Sequence, residues 1–244
     1  MATEIQRPAF YALASGGWRD YLTLLHPPYT AWHLSYVAVG AALAPEFAWS
    51  RLLPTLAAFF LAVGIGAHAL DELNGRPLRT EISRPVLVGL AAVSIAGAVA
   101  IGIAGTLTVN PWLGAFVAAG AFIVVAYNLE LADGRFHGDA WFALAWGAFP
   151  LLTAYFAAAE RIDGVALLAA AAAFALSRAQ RLLSTPVRDM RRRVAHVSGT
   201  LERRDGSAEP VTPELLLRGK EGALRAMAAS SVALSAALVL MRVT

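Results

Sequence analysis

The sequence predicts an all-α fold, a polytopic transmembrane bundle of about seven spanning helices around a cytoplasm-facing cavity, on three observations. The 244 residues are 58% hydrophobic and only 15% charged, with a mean hydropathy of +0.57, too apolar for a soluble domain of this size. Apolar runs recur at about the 20-residue length that one bilayer crossing needs. Basic residues gather in alternate connections between those runs, the pattern that positive-inside retention leaves on a polytopic chain.

Taken in order, residues 1–28 are expected to form a cytoplasmic amino terminus with an interfacial helix. Glu4, Arg7, Arg19 and Asp20 interrupt any apolar h-region, so no signal peptide is expected and insertion falls to the first spanning helix. Residues 18–28 mix Trp18, Tyr21 and leucines with charges and end in Pro27-Pro28, which reads as a short helix at headgroup level, broken by the prolines. The bundle itself is expected over 29–244, with apolar runs at 29–43, 52–70, 86–103, 112–129, 141–159 and 165–178. A last helix starts at Thr212-Pro213-Glu214, with Thr as N-cap and Pro at the first helical position, and crosses at about 226–241.

Charge then orients the bundle. With the amino terminus inside, Arg7, Arg19, Arg76, Arg79, Arg84, Arg135 and the run from Arg188 to Lys220 are cytoplasmic, while Arg51, Arg161 and Arg242 are outside. The expected location is integral to a membrane, the plasma membrane in a prokaryote. A sequence pI near 9.6 does not point to nucleic acid, because the basic residues sit beside apolar spans and not on a soluble face. The chain has no cysteine, which excludes disulfides, thiolate metal sites and a cysteine nucleophile. Residues 184–213 form a long polar loop, basic first and Ser/Gly/Glu-rich after, expected to be cytoplasmic.

One stretch, 66–83, concentrates the polar chemistry at the end of the second apolar run. Asp71 and Glu72 are adjacent carboxylates, Asn74 an amide, and Arg76, Arg79 and Arg84 guanidiniums. Oxygen ligands of this kind hold a divalent metal, and guanidiniums hold phosphate. The same residues also suit a plain helix end, since Asn74-Gly75 is a turn dipeptide and Pro77 stops a helix. Arg178 and Arg181, three apart on one helical face, point either at an anion or at lipid headgroups. His33 and His68 are cavity-lining or helix-bonding histidines. Tyr127 and Asn128 end the fourth run on the cytoplasmic side, where the alternatives are a cavity mouth and an aromatic belt. His137 and Asp139 have no metal-ligand spacing to anything else.

Five features in this order resemble the UbiA-type intramembrane prenyltransferase family. They are the interfacial helix ending in His26-Pro27-Pro28, the two helices after it, the acidic loop with Asn74-Gly75-Arg76-Pro77-Leu78, Ala126-Tyr127-Asn128, and Ala145-Trp146-Gly147-Ala148-Phe149-Pro150. The correspondence runs from about Trp18 to the loop after the sixth run. The resemblance places Asp71 on the family's first aspartate-rich motif and Arg76-Pro77 on its arginine-proline turn. Ala67-His68 stands where the family usually has Asn-Asp, Gly75 where a further aspartate follows, and Glu130 near a usual basic residue. The region of the second aspartate-rich motif, 178–189, is basic here.

The resemblance implies magnesium-assisted departure of diphosphate from a prenyl diphosphate, with transfer to a lipophilic acceptor or cyclisation. Asp71 and Glu72 would hold magnesium, with Asn74 orienting the site. Arg76, Arg79, Arg178, Arg181, Tyr127 and Asn128 would receive the diphosphate, and His33 and His68 would line the cavity. Implied partners are the prenyl diphosphate or another isoprenoid lipid, the bilayer, and a second copy or a complex partner, with no nucleic acid. Loss of the second acidic motif favours the alternative, a diverged non-catalytic bundle that binds a lipid or isoprenoid or serves as an assembly subunit. A transporter is a third class, with no repeat of broken helices to support it.

Overall fold

The computed structural model describes residues 7–244; Glu4 and the first part of the 1–28 segment lie outside them. Eight helices and one small hairpin are present among the described residues: α1 (Trp18–Leu24), α2 (Pro27–Leu43), α3 (Trp49–Leu73), α4 (Arg84–Thr108), α5 (Leu113–Asn128), α6 (Asp139–Ala159), α7 (Gly164–Arg193) and α8 (Pro213–Val243). The hairpin pairs β1 (Thr200–Glu202) with β2 (Ala208–Pro210) between α7 and α8. Five helices, α3, α4, α6, α7 and α8, are long and apolar enough to cross a membrane, whereas α2 has 17 residues and α5 has 16.

The helices from α2 to α8 alternate in direction, and contacts at both ends fix the alternation. At one end Glu160 bridges Arg51 (3.5 Å) and Asn110 (3.2 Å), and Arg242 donates to the carbonyls of Ala44 (3.1 Å) and Pro45 (2.7 Å). At the other, here termed the loop end, the Arg191 guanidinium grips both oxygens of Glu221 at 2.5 and 3.0 Å. Glu221 is buried, so this two-pronged pair supplies the geometry a desolvated charge pair requires.

The main core lies where α2, α6, α7 and α8 meet and includes Trp32, Tyr36, Leu151, Ala170, Leu217 and Leu224. Polar side chains within it pair: the Trp32 indole donates to the Tyr36 hydroxyl at 2.7 Å, and the Ser177 hydroxyl does the same at 3.1 Å. Small residues set the closest approaches, as membrane helix packing requires. A Cβ built on Gly40 would lie 2.2 Å from the Leu151 carbonyl oxygen, and one on Gly147 would lie 2.6 Å from that of Ala173.

Three sequence expectations change. Pro27-Pro28 does not break a helix but opens α2, where an absent N–H has no intrahelical partner to lose. The sixth apolar run, expected to end near Arg178, continues as α7 to Arg193 with Pro186 inside it. Proline forfeits one bond to the carbonyl four residues back; burial of Val187 and the Arg191–Glu221 clasp carry the helix past it. The polar loop is accordingly 194–212 and carries a hairpin, whose turn is fixed by Asp205 accepting from the Ser207 N–H (2.9 Å) and hydroxyl (2.7 Å).

Candidate functional site

At the loop end, α3 finishes through a stretch of wide π-type turns at Phe60–Ala67 and one regular stretch, His68–Leu73. The chain then reverses through 74–83, with Gly75 (φ +92°), Arg76 (φ +51°) and Arg79 (φ +57°) in left-handed conformations. For arginine that conformation costs about 1–3 kcal/mol and persists only where surroundings over-determine it. Two buried carboxylates do so. Glu72, with no exposed surface, accepts from the Leu78 N–H, the Thr80 N–H and the Thr80 hydroxyl, each at 2.9 Å. Asp20, on α1, accepts from the N–H groups of Gly16 (3.0 Å) and Glu81 (2.8 Å).

Several residues expected at the site therefore have structural partners. Glu72 is not placed to share a metal with Asp71, because its oxygens are spent on its own loop. Arg76 donates to the carbonyls of Thr80 (2.8 Å) and Ile82 (2.7 Å), so its guanidinium braces the same loop instead of receiving an anion. The Asn74 amide reaches the Asn128 carbonyl at 3.4 Å, tying the end of α3 to α5, and the Asn128 amide donates to the Val124 carbonyl at 2.7 Å within α5. Arg181 is drawn to α6, where it meets Asp139 (3.2 Å), the His137 carbonyl (3.4 Å) and the face of Phe142. Arg178 is exposed at about the middle of α7, so the two do not converge. Arg79 is exposed, and its guanidinium donates to the Arg192 carbonyl at 3.5 Å.

His33 is a helix-bonding residue. Pro150 has no N–H for the Trp146 carbonyl four residues back, and His33 Nδ1 donates to that oxygen at 2.8 Å. His68 Nδ1 likewise meets the Gly64 carbonyl at 3.1 Å, within the π-type stretch, but its ring stacks on His26 with centroids 3.9 Å apart. That stack faces the site.

Asp71 is half-buried and its carboxylate makes no hydrogen bond among the described residues. The charges that act on it most are Arg192 and Arg188, one helical turn apart on α7, followed by His137. Arg188 in turn faces Arg181, Tyr127 and Arg192. Tyr127 stacks on His137 at 4.4 Å, and its buried hydroxyl has no partner. Tyr11, from the segment before α1, packs against His26 (5.2 Å) and Tyr29 (5.5 Å) and lies in the field of the same two arginines. Burial pushes the Tyr11 phenol up, and burial beside His68, Arg192 and Arg188 holds His26 well below its usual range, so its ring is neutral. Nε2 of His26 and Nε of Arg192 are also buried without partners among the described residues.

Sequence reading thus missed Arg188, Arg192, Tyr11, Tyr29 and His26 as one group. The i, i+4 spacing of the two arginines is legible only once α7 is known to pass Pro186. For magnesium, no group of three or more His, Asp or Glu gathers among the described residues. Asp71 alone fits a single ion, which ordinarily takes one or two carboxylates and completes its shell with water and substrate phosphate; a second ion has no carboxylate here.

A separate cavity of about 330 Å³ lies between α3, α4, α5 and α6 toward the opposite end. It is lined almost wholly by apolar side chains, with Arg51 among its few polar residues. Its loop-ward floor is Val63, Val124 and Trp146, which pack in one cluster with Ala67, Tyr127 and Phe142. The chain matches no family model, no curated protein and no solved structure.

Proposed function

We propose that this chain is an integral membrane protein of UbiA-like build that admits a prenyl diphosphate head-first at its loop end and assists departure of the diphosphate. The observation that carries the reading is one unengaged carboxylate, Asp71, lying in the field of Arg188 and Arg192 without an ion pair to either, at the end of an apolar helical bundle. An anion with a long apolar tail is the ligand such a site suits, because the charges lie at one end and the helix interior accepts hydrocarbon. All helices from α2 to α8 would cross the bilayer, with the basic loop end on the cytoplasmic side.

In the reaction, the allylic carbon–oxygen bond breaks and its electron pair leaves with the diphosphate. Arg188 and Arg192 stabilise the negative charge that grows on the departing oxygen. Asp71 would be the protein ligand of a bound magnesium ion, which would supply Lewis-acid neutralisation of the leaving group. The carbon cation is taken by a lipophilic acceptor that then loses a proton, or by the ligand's own double bond.

A second reading, a non-catalytic isoprenoid-binding bundle or assembly subunit, is favoured by Glu72, whose commitment to the loop leaves one carboxylate where two were expected. Both are tested on the purified full chain with geranylgeranyl diphosphate and magnesium. Selective binding must raise the melting temperature, and the uncharged alcohol must raise it less. Pyrophosphate release on adding an acceptor extract supports the enzyme; stabilisation without release supports the binder. No stabilisation by any prenyl diphosphate sinks both.

A further inference from the structure

We infer that the anionic head is held by a seat built from Arg188, Arg192, Tyr127 and His26, and that this seat takes a diphosphate without metal. The inference rests on the reading that the loop end receives a prenyl diphosphate, and it assigns the contacts residue by residue. Three buried polar atoms here lack a partner among the described residues: the Tyr127 hydroxyl, Nε of Arg192 and Nε2 of His26. Tyr127 and His26 are 6% and 8% exposed, so bulk water does not satisfy them. All three sit about the loop end of α3: the His26 ring stacks on His68, Tyr127 packs in one cluster with Ala67 and Leu70, and the Arg192 carbonyl accepts from Arg79. Each also lies in the field of Arg188, whose guanidinium donates to the Thr185 hydroxyl at 3.2 Å.

Guanidinium has donors only, and a phenol or the Nε2–H tautomer of imidazole donates as readily. Buried donors left over in one place ask for a ligand rich in acceptors. Asp71 is near, yet it carries one charge against two arginines, and it leaves all three of these atoms unbonded. A diphosphate brings several oxygens and enough charge to meet both guanidiniums and the neutral donors together. The His26 ring is fixed for the purpose: His26 takes a left-handed backbone conformation (φ +46°) at the start of α2, and its ring lies between Tyr11 and His68.

The sign of the charge also sets an order. A divalent cation arriving first at Asp71 meets Arg188 and Arg192 and is repelled, whereas diphosphate arriving first reverses the local charge and makes Asp71 a usable ligand beside it. Diphosphate therefore binds without magnesium, magnesium binds only weakly until diphosphate is present, and, because the coupling is reciprocal, magnesium then tightens diphosphate by the same factor.

The test measures dissociation constants of geranylgeranyl diphosphate and of inorganic pyrophosphate for the solubilised full chain, in excess chelator and in magnesium. The expected result is chelator-resistant binding of the prenyl diphosphate. Arg192→Gln and Arg188→Gln should each weaken it about tenfold or more, the scale of one lost charge-assisted hydrogen bond. Arg192→Lys should recover part of the loss. Unliganded melting temperatures near the parent's identify variants that remain folded, and Tyr127→Phe, which deletes only the orphaned hydroxyl, provides a gentler variant with the same expected direction. Tight binding of pyrophosphate alone would uphold the seat but make its ligand the free anion, against the isoprenoid reading. Binding seen only with magnesium, or unchanged in Arg188→Gln and Arg192→Gln, overturns the seat and leaves that reading standing. No binding in either condition overturns both.

Discussion

Thr80 is bonded twice to Glu72: its backbone N–H and its hydroxyl both donate to Oε1, each at 2.9 Å, while the Leu78 N–H takes Oε2. The carboxylate does for this loop what a cap does for a helix end, supplying acceptors to buried N–H groups that have no regular partner. Adjacent acidic residues thus divide the work. Glu72 builds the loop, and the Asp71 carboxylate makes no hydrogen bond among the described residues.

Glu72→Gln should therefore be a stability mutation. The amide keeps the volume but replaces one acceptor oxygen with a donor, leaving at least one buried N–H unsatisfied at a cost of about 1–3 kcal/mol. Asp71→Asn should change the melting temperature little by comparison. Equal melting temperatures for Glu72→Gln and the parent protein would remove Glu72 from this role.

Glycine substitutions should divide by neighbourhood. Alanine at Gly40 or Gly147 meets backbone oxygen at 2.2 or 2.6 Å, so α2 or α7 must move away from α6, at about 1–3 kcal/mol. Alanine at Gly89, on an exposed stretch of α4 with nothing within 4 Å, should be neutral or stabilising by up to about 1 kcal/mol. Thermal unfolding of the three variants reads the contrast directly.

Acid should destabilise the loop end through His26. Its folded value is held well below the ordinary 6.5, by burial first and then by His68, Arg192, Arg188 and His33. The unfolded chain takes up that proton first, so stability falls as pH drops below 6.5 and continues falling toward the folded value. His26→Asn, which tolerates the left-handed backbone, should flatten this part of the profile between pH 6.5 and 5. An unchanged slope in the variant would assign the acid sensitivity elsewhere.

Topology is open to labelling. Ser198 lies in the connection between α7 and α8 at the loop end, and Thr244 lies at the opposite end beside Arg242. In intact cells an impermeant thiol reagent should label Thr244→Cys and spare Ser198→Cys. The reverse result would invert the bundle, and equal labelling would contradict the alternation of its helices.

The helical framework was legible because hydropathy and proline placement are local signals: the runs at 86–103 and 141–159 lie within α4 and α6. The extent of α7 was not, because Pro186 reads as a stop unless Val187 and the Arg191–Glu221 clasp are known to hold the far side. The site was legible in part. Asp71 stands at a helix end in both readings, but its neighbour's role depends on Thr80, whose hydroxyl returns across a turn that sequence does not fix. Arg181 and Arg188 look alike as letters; one finds Asp139 and the other lies in the field of Asp71, a difference set by position along α7, since the two share one face about two turns apart. Tyr11 belongs to the site only because the segment before α1 folds back, with Ala9 and Ala12 packing on Leu78.

The central claim, that an isoprenoid diphosphate sits head-first at the loop end, is tested most directly by photo-crosslinking. A geranylgeranyl diphosphate analogue carrying a diazirine beside the head would be irradiated on the purified chain and the adducts mapped by peptide sequencing. The expected adducts fall at 68–73, 124–128 and 184–192, and excess unlabelled diphosphate suppresses them. Adducts confined to the apolar cavity at the opposite end, around Arg51, Thr108 and Leu113, would contradict the assignment.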